Sequence, residues 1–454
     1  MRAARAVIGA GRSASLQRTL SLLPTNRRLV QTAVVIHACS LEEHPVRPRH
    51  LLVALALALP GFAPSSHAQN TIPVRQLGPI LATSEEHFGT IAGVWQFSDG
   101  QVLVNDGLHF RLQLLDSSLT RARVIADSNA TLKYRGAAVP LIPYARDSVL
   151  FFDVESGTMV LVATSGSVAR ALAHPAPSDV RYLVLRTVGF GSPAGYPIGY
   201  AWTDAQRRLI YRGEFRAMPA QPAPGQPRIN RGADSAPLLR ADFETRTVDT
   251  IARIRIRNPA TVKTVATDSG SKVTIILNPV QLSDEWAVLS DGTIAIVRSH
   301  DYHIDWIDPD GARRSSSKMA FDWRRLSEAD KRVIADSQAA LYRKSLDDAM
   351  KSAPPGRRLA IPEISVAGAD EIPEYLSPAA AVHADRDGNL WVLPTTSGRA
   401  NEGRVYDVIN RTGAIVERVV IPSIAQIAGF GPGRIVYLAI PDGANGVTLA
   451  RARR

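Results

Sequence analysis

The sequence predicts an all-β protein, a six-bladed β-propeller with four-stranded blades, and three observations carry that prediction. From Gly89 onward, short runs rich in Val, Ile, Leu and aromatic residues alternate with turns bearing Asp, Gly or Ser. The unit repeats in length: Gly100 to Asp116 and Gly292 to Asp308 each span 16 positions. Helical periodicity is confined to a single segment. The same runs could form meanders in a sandwich or in two barrels, and five or seven blades fit the weaker repeats. A recurrent four-strand unit spread along the whole chain favours the propeller.

Taken in order, residues 1–45 are rich in Arg and Ser, lack any sustained period, and read as a non-native extension or a long n-region. Residues 46–68 read as a signal peptide. Arg47 and Arg49 precede the apolar run Leu51–Leu59, and Ser66 and Ala68 sit at the spacing a signal peptidase recognises. The apolar run is about half of the roughly 20 residues that span a bilayer, so no transmembrane anchor is expected. Cleavage near Ala68 would leave 69–454 as one exported domain, periplasmic or secreted.

The first blade is the clearest, with runs at 91–97, 101–105 and 110–115 separated by Ser98-Asp99-Gly100 and Asp106-Gly107. The second is placed from Ser148 to Thr164 and the third around Arg208. Within the third, residues 216–237 are rich in Pro, Gly and Ala and read as a long exposed loop. The fourth follows Ser290-Asp291-Gly292, and an insertion over 321–372 separates it from the fifth. That insertion holds the one helix, at about 326–351, with Ser327 and Asp330 spaced as a capping box. Leu326, Ala329, Val333, Ser337 and Leu341 are expected to share its apolar face. The fifth blade follows Arg386-Asp387-Gly388, and its 22-residue spacing to Asn410 includes the polar loop 395–403. The sixth, 434–439 and 447–451, lacks an outer strand. Either Val74–Leu77 or Ile80–Thr83 is expected to supply it, because an unpaired edge is an aggregation hazard.

The segments GVWQFSDGQVLVNDGLHFRLQLLD (93–116), DEWAVLSDGTIAIV (284–297) and AVHADRDGNLWVL (381–393) resemble the exported bacterial six-bladed propellers related to NHL and TolB-type repeats. The resemblance covers nearly all of 71–452. It implies the fold and leaves activity open, since such propellers include binding scaffolds and enzymes. Lyases resembling NHL propellers gather several channel histidines around zinc, and gluconolactonase-like ones use carboxylates and Asn around calcium.

Composition narrows the function. The whole chain has 53 Lys and Arg against 42 Asp and Glu, but 8 Arg and 2 Glu lie in 1–68, so the remainder has 45 against 40. That mild excess argues against nucleic-acid binding. Cys39, the only cysteine, lies before the expected cleavage, which leaves neither disulfide nor thiolate site. Asp385, Asp387, Gly388 and Asn389 resemble a calcium loop, but position twelve is Thr396 where an EF-hand has Glu, so a structural turn is expected. His300 and His303 have an odd spacing that on a strand sends them to opposite faces. His383 falls on a first, channel-lining strand, but one His makes no zinc site. No GxSxG, HExxH or Walker motif occurs.

No cofactor, metal site or catalytic residue is therefore assigned. The expected function is non-enzymatic binding of a protein, peptide or glycan. A metal-dependent hydrolase or lyase using calcium or zinc is the alternative, and an accessory of an envelope complex is a third class. The candidate contact residues are Trp323, Arg324 and Arg325 at the helical insertion, with His383 and Glu285 on first strands for a small ligand in the channel.

Overall fold

The computed structural model describes residues 72–454 apart from 131, 135–138, 146, 154–155, 184–200, 214–225, 231–232, 258–259, 268–269, 352–361, 400–402 and 444–445. The expected leader and residues 1–45 lie outside the described residues. Among the described residues the chain forms seven sheets and one α-helix, and no helix is long and apolar enough to cross a membrane.

Six of the sheets are built on antiparallel meanders. The first runs through Ile91–Gln96, Val102–Asp106, Arg111–Leu115 and Ala122–Asp127. The others follow at 141–172, 202–255, 285–315, 379–421 and 426–453. The hairpin turns explain the repeat seen in the sequence. In the first and fourth sheets, Phe97 N–H bonds the Gln101 carbonyl and Leu289 N–H that of Thr293, with Gly100 and Gly292 donating back to Phe97 and Leu289. The glycines sit at φ +86° and +89°, as a three-residue hairpin loop requires. In the third sheet the same turn runs from Asp204 to Arg208, but Arg207 holds the left-handed position at φ +63°. This is why the third repeat is faint in the sequence.

Apolar packing links these sheets into a closed circuit. One cluster joins the first three sheets through Leu103, Leu114, Phe151 and Leu209. Ile210 and Leu238 pack on Trp286 and Ile296 of the fourth, whose Leu289 and Trp306 pack on Leu390 and Val392 of the fifth. Trp391 and Tyr406 meet Phe430 and Leu438 of the sixth, whose Tyr437 and Leu449 return to Val94 and Val104 of the first. Each such buried side chain contributes roughly 1.5–3 kcal/mol. The arrangement is propeller-like, with each sheet packed on the next and the last on the first.

Of the two segments expected to complete the last sheet, Ile80–Thr83 does so. Ile80, Ala82 and Thr83 stand across from Ala452, Arg451 and Ala450. Val74–Gln76 instead lies parallel to Ile415–Ile421 as a fifth strand of the preceding sheet. The basic tail is structural as well. Arg454 is buried between Asp385, at 3.0 Å, and Glu417, at 2.9 Å, and lies over the Trp391 ring. Asp385 also accepts hydrogen bonds from Asp387 N, Asn389 N, Asn389 Nδ2 and Trp391 Nε1, so its oxygens serve the turn.

Three expectations need correction. Residues 216–237 are not wholly a loop: they hold the strand Arg228–Asn230 and the start of Ser235–Asp242, while 214–225 lie outside the described residues. The insertion over 321–372 likewise ends in the strand Glu363–Val366. These strands flank the hairpin Ala260–Thr267 and Gly270–Leu277 in a seventh, mixed sheet that the sequence repeat does not announce. The helix spans Glu328–Lys351; Lys331 and Ala339 are buried and Ile334 and Ala335 half-buried, whereas Val333 and Leu341 are exposed. The 3.6 period holds, but the face is rotated, because Leu326 and Ile334 pack on Val280 and Ile372 and the Lys331 ammonium reaches the Ala369 carbonyl. The capping box forms: Ser327 N–H donates to Asp330 Oδ2 and Asp330 N–H to Ser327 Oγ.

Two outcomes follow. Deleting residues 72–83 exposes the Val447–Arg453 edge, so the melting temperature measured by calorimetry should fall sharply. Arg454→Ala leaves Asp385 and Glu417 facing each other without their cation, and chemical denaturation should show a loss of about 3 kcal/mol.

Candidate functional site

The two edges of the meander sheets differ. Where each first strand ends and the second begins, and where the third gives way to the fourth, every connection is two to six residues long. At the opposite edge the connections are longer in sequence: the chain leaves the meander strands at 173, 213, 256, 316 and 395 and re-enters them at 201, 234, 284, 378 and 403. The tight-turn edge is also bound together from sheet to sheet. Ser98 bonds Asp147, Arg208 reaches the Pro309 carbonyl, Asp291 pairs with Arg411, Asp387 accepts from Arg434 N, and Arg451 reaches the Ser117 carbonyl. On this side Arg386 of the fifth sheet stacks 4.1 Å over Trp95 of the first and donates to the Gln96 carbonyl. Trp95 in turn meets Trp202 of the third sheet edge-on at 6.1 Å. Three alternate sheets thus converge on one aromatic–guanidinium contact.

The candidate residues separate into distinct environments. Trp323 packs edge-on against Phe321, at 5.0 Å, and Tyr375, at 5.8 Å. Arg324 pairs with the helix-capping Asp330 at 3.5 Å, and Arg325 with Glu374 at 2.5 Å. The three are neighbours in sequence, and each is already engaged by a nearby side chain. Glu285 opens its strand, with Arg257 at 3.8 Å and Ser283 Oγ at 3.5 Å. Burial lifts its carboxyl to about 7, against the pull of Arg257, Arg212 and the Ser283 hydroxyl. His383 lies among Tyr406 and Phe430, and burial pushes its imidazole down to about 4. Ser283 and Ser377 bond each other where the two strands enter, so His383, four residues deeper than Glu285, stands about 13 Å further along. The structure does not bring Glu285 and His383 together.

Sequence spacing missed the most developed polar constellation at the edge of the longer connections. Asp284, Arg298, Ser299, His300, Asp301 and His303, with Arg255, line a cavity of about 230 Å³. His300 and His303 precede the strand Ile304–Ile307, so they are loop residues and the alternation that sets strand faces does not apply to them. Arg298 is clamped by Asp305 at 2.6 Å and Asp284 at 2.9 Å, and His303 stands between Asp301, at 2.5 Å, and Asp305, at 3.1 Å. Burial raises the Asp301 and Asp305 carboxyls, but hydrogen bonds from His303 and Lys318 to the first, and from Ser315 and Arg298 to the second, more than offset it and hold both low. The loop hangs on Tyr302, whose ring is fully buried against Phe321 while its backbone takes φ +52°, a strained position for an aromatic residue. The signal available in the sequence is the density of HDYH at 300–303 beside Asp284 and Asp305.

No protein-family model matches this sequence, and no curated protein does. Solved structures with overall likeness include virginiamycin B lyase from Staphylococcus aureus, at 12% identity and a TM-score of 0.36 over 83% of this chain and 98% of that one. Regucalcin from Agrobacterium tumefaciens matches at 11% identity and 0.32 over 84% and 96%. The PQQ-bound aldose sugar dehydrogenase from Streptomyces coelicolor matches at 9% and 0.34 over 84% and 99%. Likeness at this level carries no argument about activity, and the fold rests on the chain's own sheets.

Two measurements test these environments. The His383 pKa falls on folding from 6.5, so its contribution is complete above pH 6.5 and is lost as pH drops toward 4. The Glu285 pKa rises from 4.5 to about 7, so its contribution is complete below pH 4.5 and is lost as pH climbs through 7. The slopes oppose each other between pH 4.5 and 6.5. Stability should therefore decline more steeply with rising pH in His383→Gln, and rise with pH in Glu285→Gln. Separately, the buried Tyr302 hydroxyl has no hydrogen-bond partner among the described residues. Tyr302→Phe should then raise the unfolding free energy by about 1–2 kcal/mol in urea titrations.

Proposed function

We propose that this chain is an exported six-bladed β-propeller that works as a binding module, engaging a protein, peptide or glycan at the mouth formed by its long excursions. The observation that carries this reading is the asymmetry of the two edges. Tight, cross-tied turns and the Arg386–Trp95–Trp202 contact occupy one side, and the longer connections leave and re-enter the strands at the other, where connections are free to vary and to recognise. The leader-like pattern of 46–68 supports export. The helix Glu328–Lys351, preceded by Trp323, Arg324 and Arg325, is the longest element of these connections and the proposed contact element.

Replacing 328–351 with a short Gly-Ser bridge tests the proposal. Peptide and glycan arrays probed with the native chain should show discrete binders, and the bridged variant should lose them while keeping a cooperative melt. Stoichiometric calcium or zinc, together with lactonase, esterase or lyase turnover that disappears in His383→Ala, would overturn it in favour of an enzyme.

A further inference from the structure

The cavity beside the 298–303 loop is built from charges, and hydrogen bonding divides those charges unevenly. Its carboxylates are fully engaged. Asp284 Oδ1 accepts from the Ser299 N–H and hydroxyl, each at 2.9 Å, while Oδ2 accepts from Arg298 at 2.9 Å and from the Arg255 N–H at 3.0 Å. Asp301 gives one oxygen to His303 and the other to Lys318, at 3.3 Å. The donors are in surplus. Arg298 spends Nε on Asp305 and Nη1 on Asp284 and the Arg253 carbonyl, which leaves its Nη2 uncommitted among the described residues. The Arg255 guanidinium and the His300 ring, both exposed, make no hydrogen bond or ion pair among the described residues.

We infer that this cavity receives an oxyanion, a carboxylate or phosphate group, held by Arg255, His300 and the free edge of Arg298. Guanidinium groups match both oxyanions with paired N–H donors, and the volume admits a group of that size with some water. The site is organised before the ligand arrives. Arg298 is fixed between two aspartates, and the loop is pinned by the buried Tyr302 at positive φ and by Met319 N–H donating to the Tyr302 carbonyl at 2.7 Å. Strain held in place by surrounding packing is a recurrent property of ligand clamps. The inference deepens the binding reading by naming a chemistry that the excursion mouth recognises.

Sodium phosphate and sodium acetate, titrated separately into the full chain at low ionic strength and followed by calorimetry, form the test. At least one should bind saturably at a single site, and the anion that binds tells a phosphate-bearing ligand from a carboxylate-bearing one. Arg255→Gln and His300→Gln should each weaken binding about tenfold, while Arg75→Gln, on another sheet, should not. Absence of saturable binding by both anions, or affinity unchanged in both cavity variants, would overturn the inference. The titration needs no partner and no helix, so its failure leaves the array result standing, and a failed array leaves the anion result standing.

Discussion

The hydrogen bonds between Ile80–Thr83 and Val447–Arg453 hold the architecture together, because they join distant segments in one backbone ladder, where neighbouring sheets meet through apolar packing and side-chain bonds between turns. The closure continues in the backbone. Gly78 N–H donates to the Arg453 carbonyl, and Gly429 lies so close to Val94 that a Cβ would sit 2.9 Å from the Val94 carbonyl oxygen. The sixth and first sheets can approach this closely only with glycine there. The two segments lie far apart in sequence, and their pairing covers the outer edge of Val447–Arg453.

With the circuit closed, the two edges of the sheets take on different work. At the turn edge space is scarce: Arg386, Trp95 and Trp202 meet, Asp385 and Asp204 are buried in turns, and Arg454 is held by Asp385 and Glu417. Lengthening a connection there would displace a buried ion pair or an aromatic contact. At the other edge the described parts of the longer connections pack partly on the meander sheets, through Val180, Leu183, Met319 and Phe321, and partly on one another, through Val280, Leu326 and Ile372. The seventh sheet forms there from strands far apart in sequence, Arg228–Asn230, the 260–277 hairpin and Glu363–Val366. No residue of Ala260–Thr267 is fully buried, so this sheet is held by its ladder more than by a core.

The polar cavity shows how such an edge acquires chemistry. Its residues come from the end of the third sheet, the approach to the fourth and one hairpin loop, and the ordering force is apolar: the Tyr302 ring sinks into the cluster of Trp306, Leu390 and Phe321. Once that anchor is set, Arg298 has no freedom to leave Asp284 and Asp305, and the remaining donors face a fixed geometry. Buried ion pairs of this kind are weak sources of stability, and position is the better attested use for them.

The residues that determine their own local structure were legible in the sequence. Ser98-Asp99-Gly100 and Ser290-Asp291-Gly292 dictate a turn with a left-handed third position, Ser327 and Asp330 dictate a helix cap, and β-branched alternation dictates the strands between. The tertiary structure decided whatever depends on which distant segment arrives alongside. It chose Ile80–Thr83 over Val74–Gln76 for the sixth sheet, and it rotated the helix so that Val333 and Leu341 face outward. It also recruited strands from both insertions into one sheet and left Glu285 and His383 at different depths. It brought Arg255 to the HDYH loop 45 residues later and set Arg454 on Asp385, 69 residues earlier. Turn geometry is a property of three or four consecutive residues, while a cavity is a property of packing between segments whose separation no local period records.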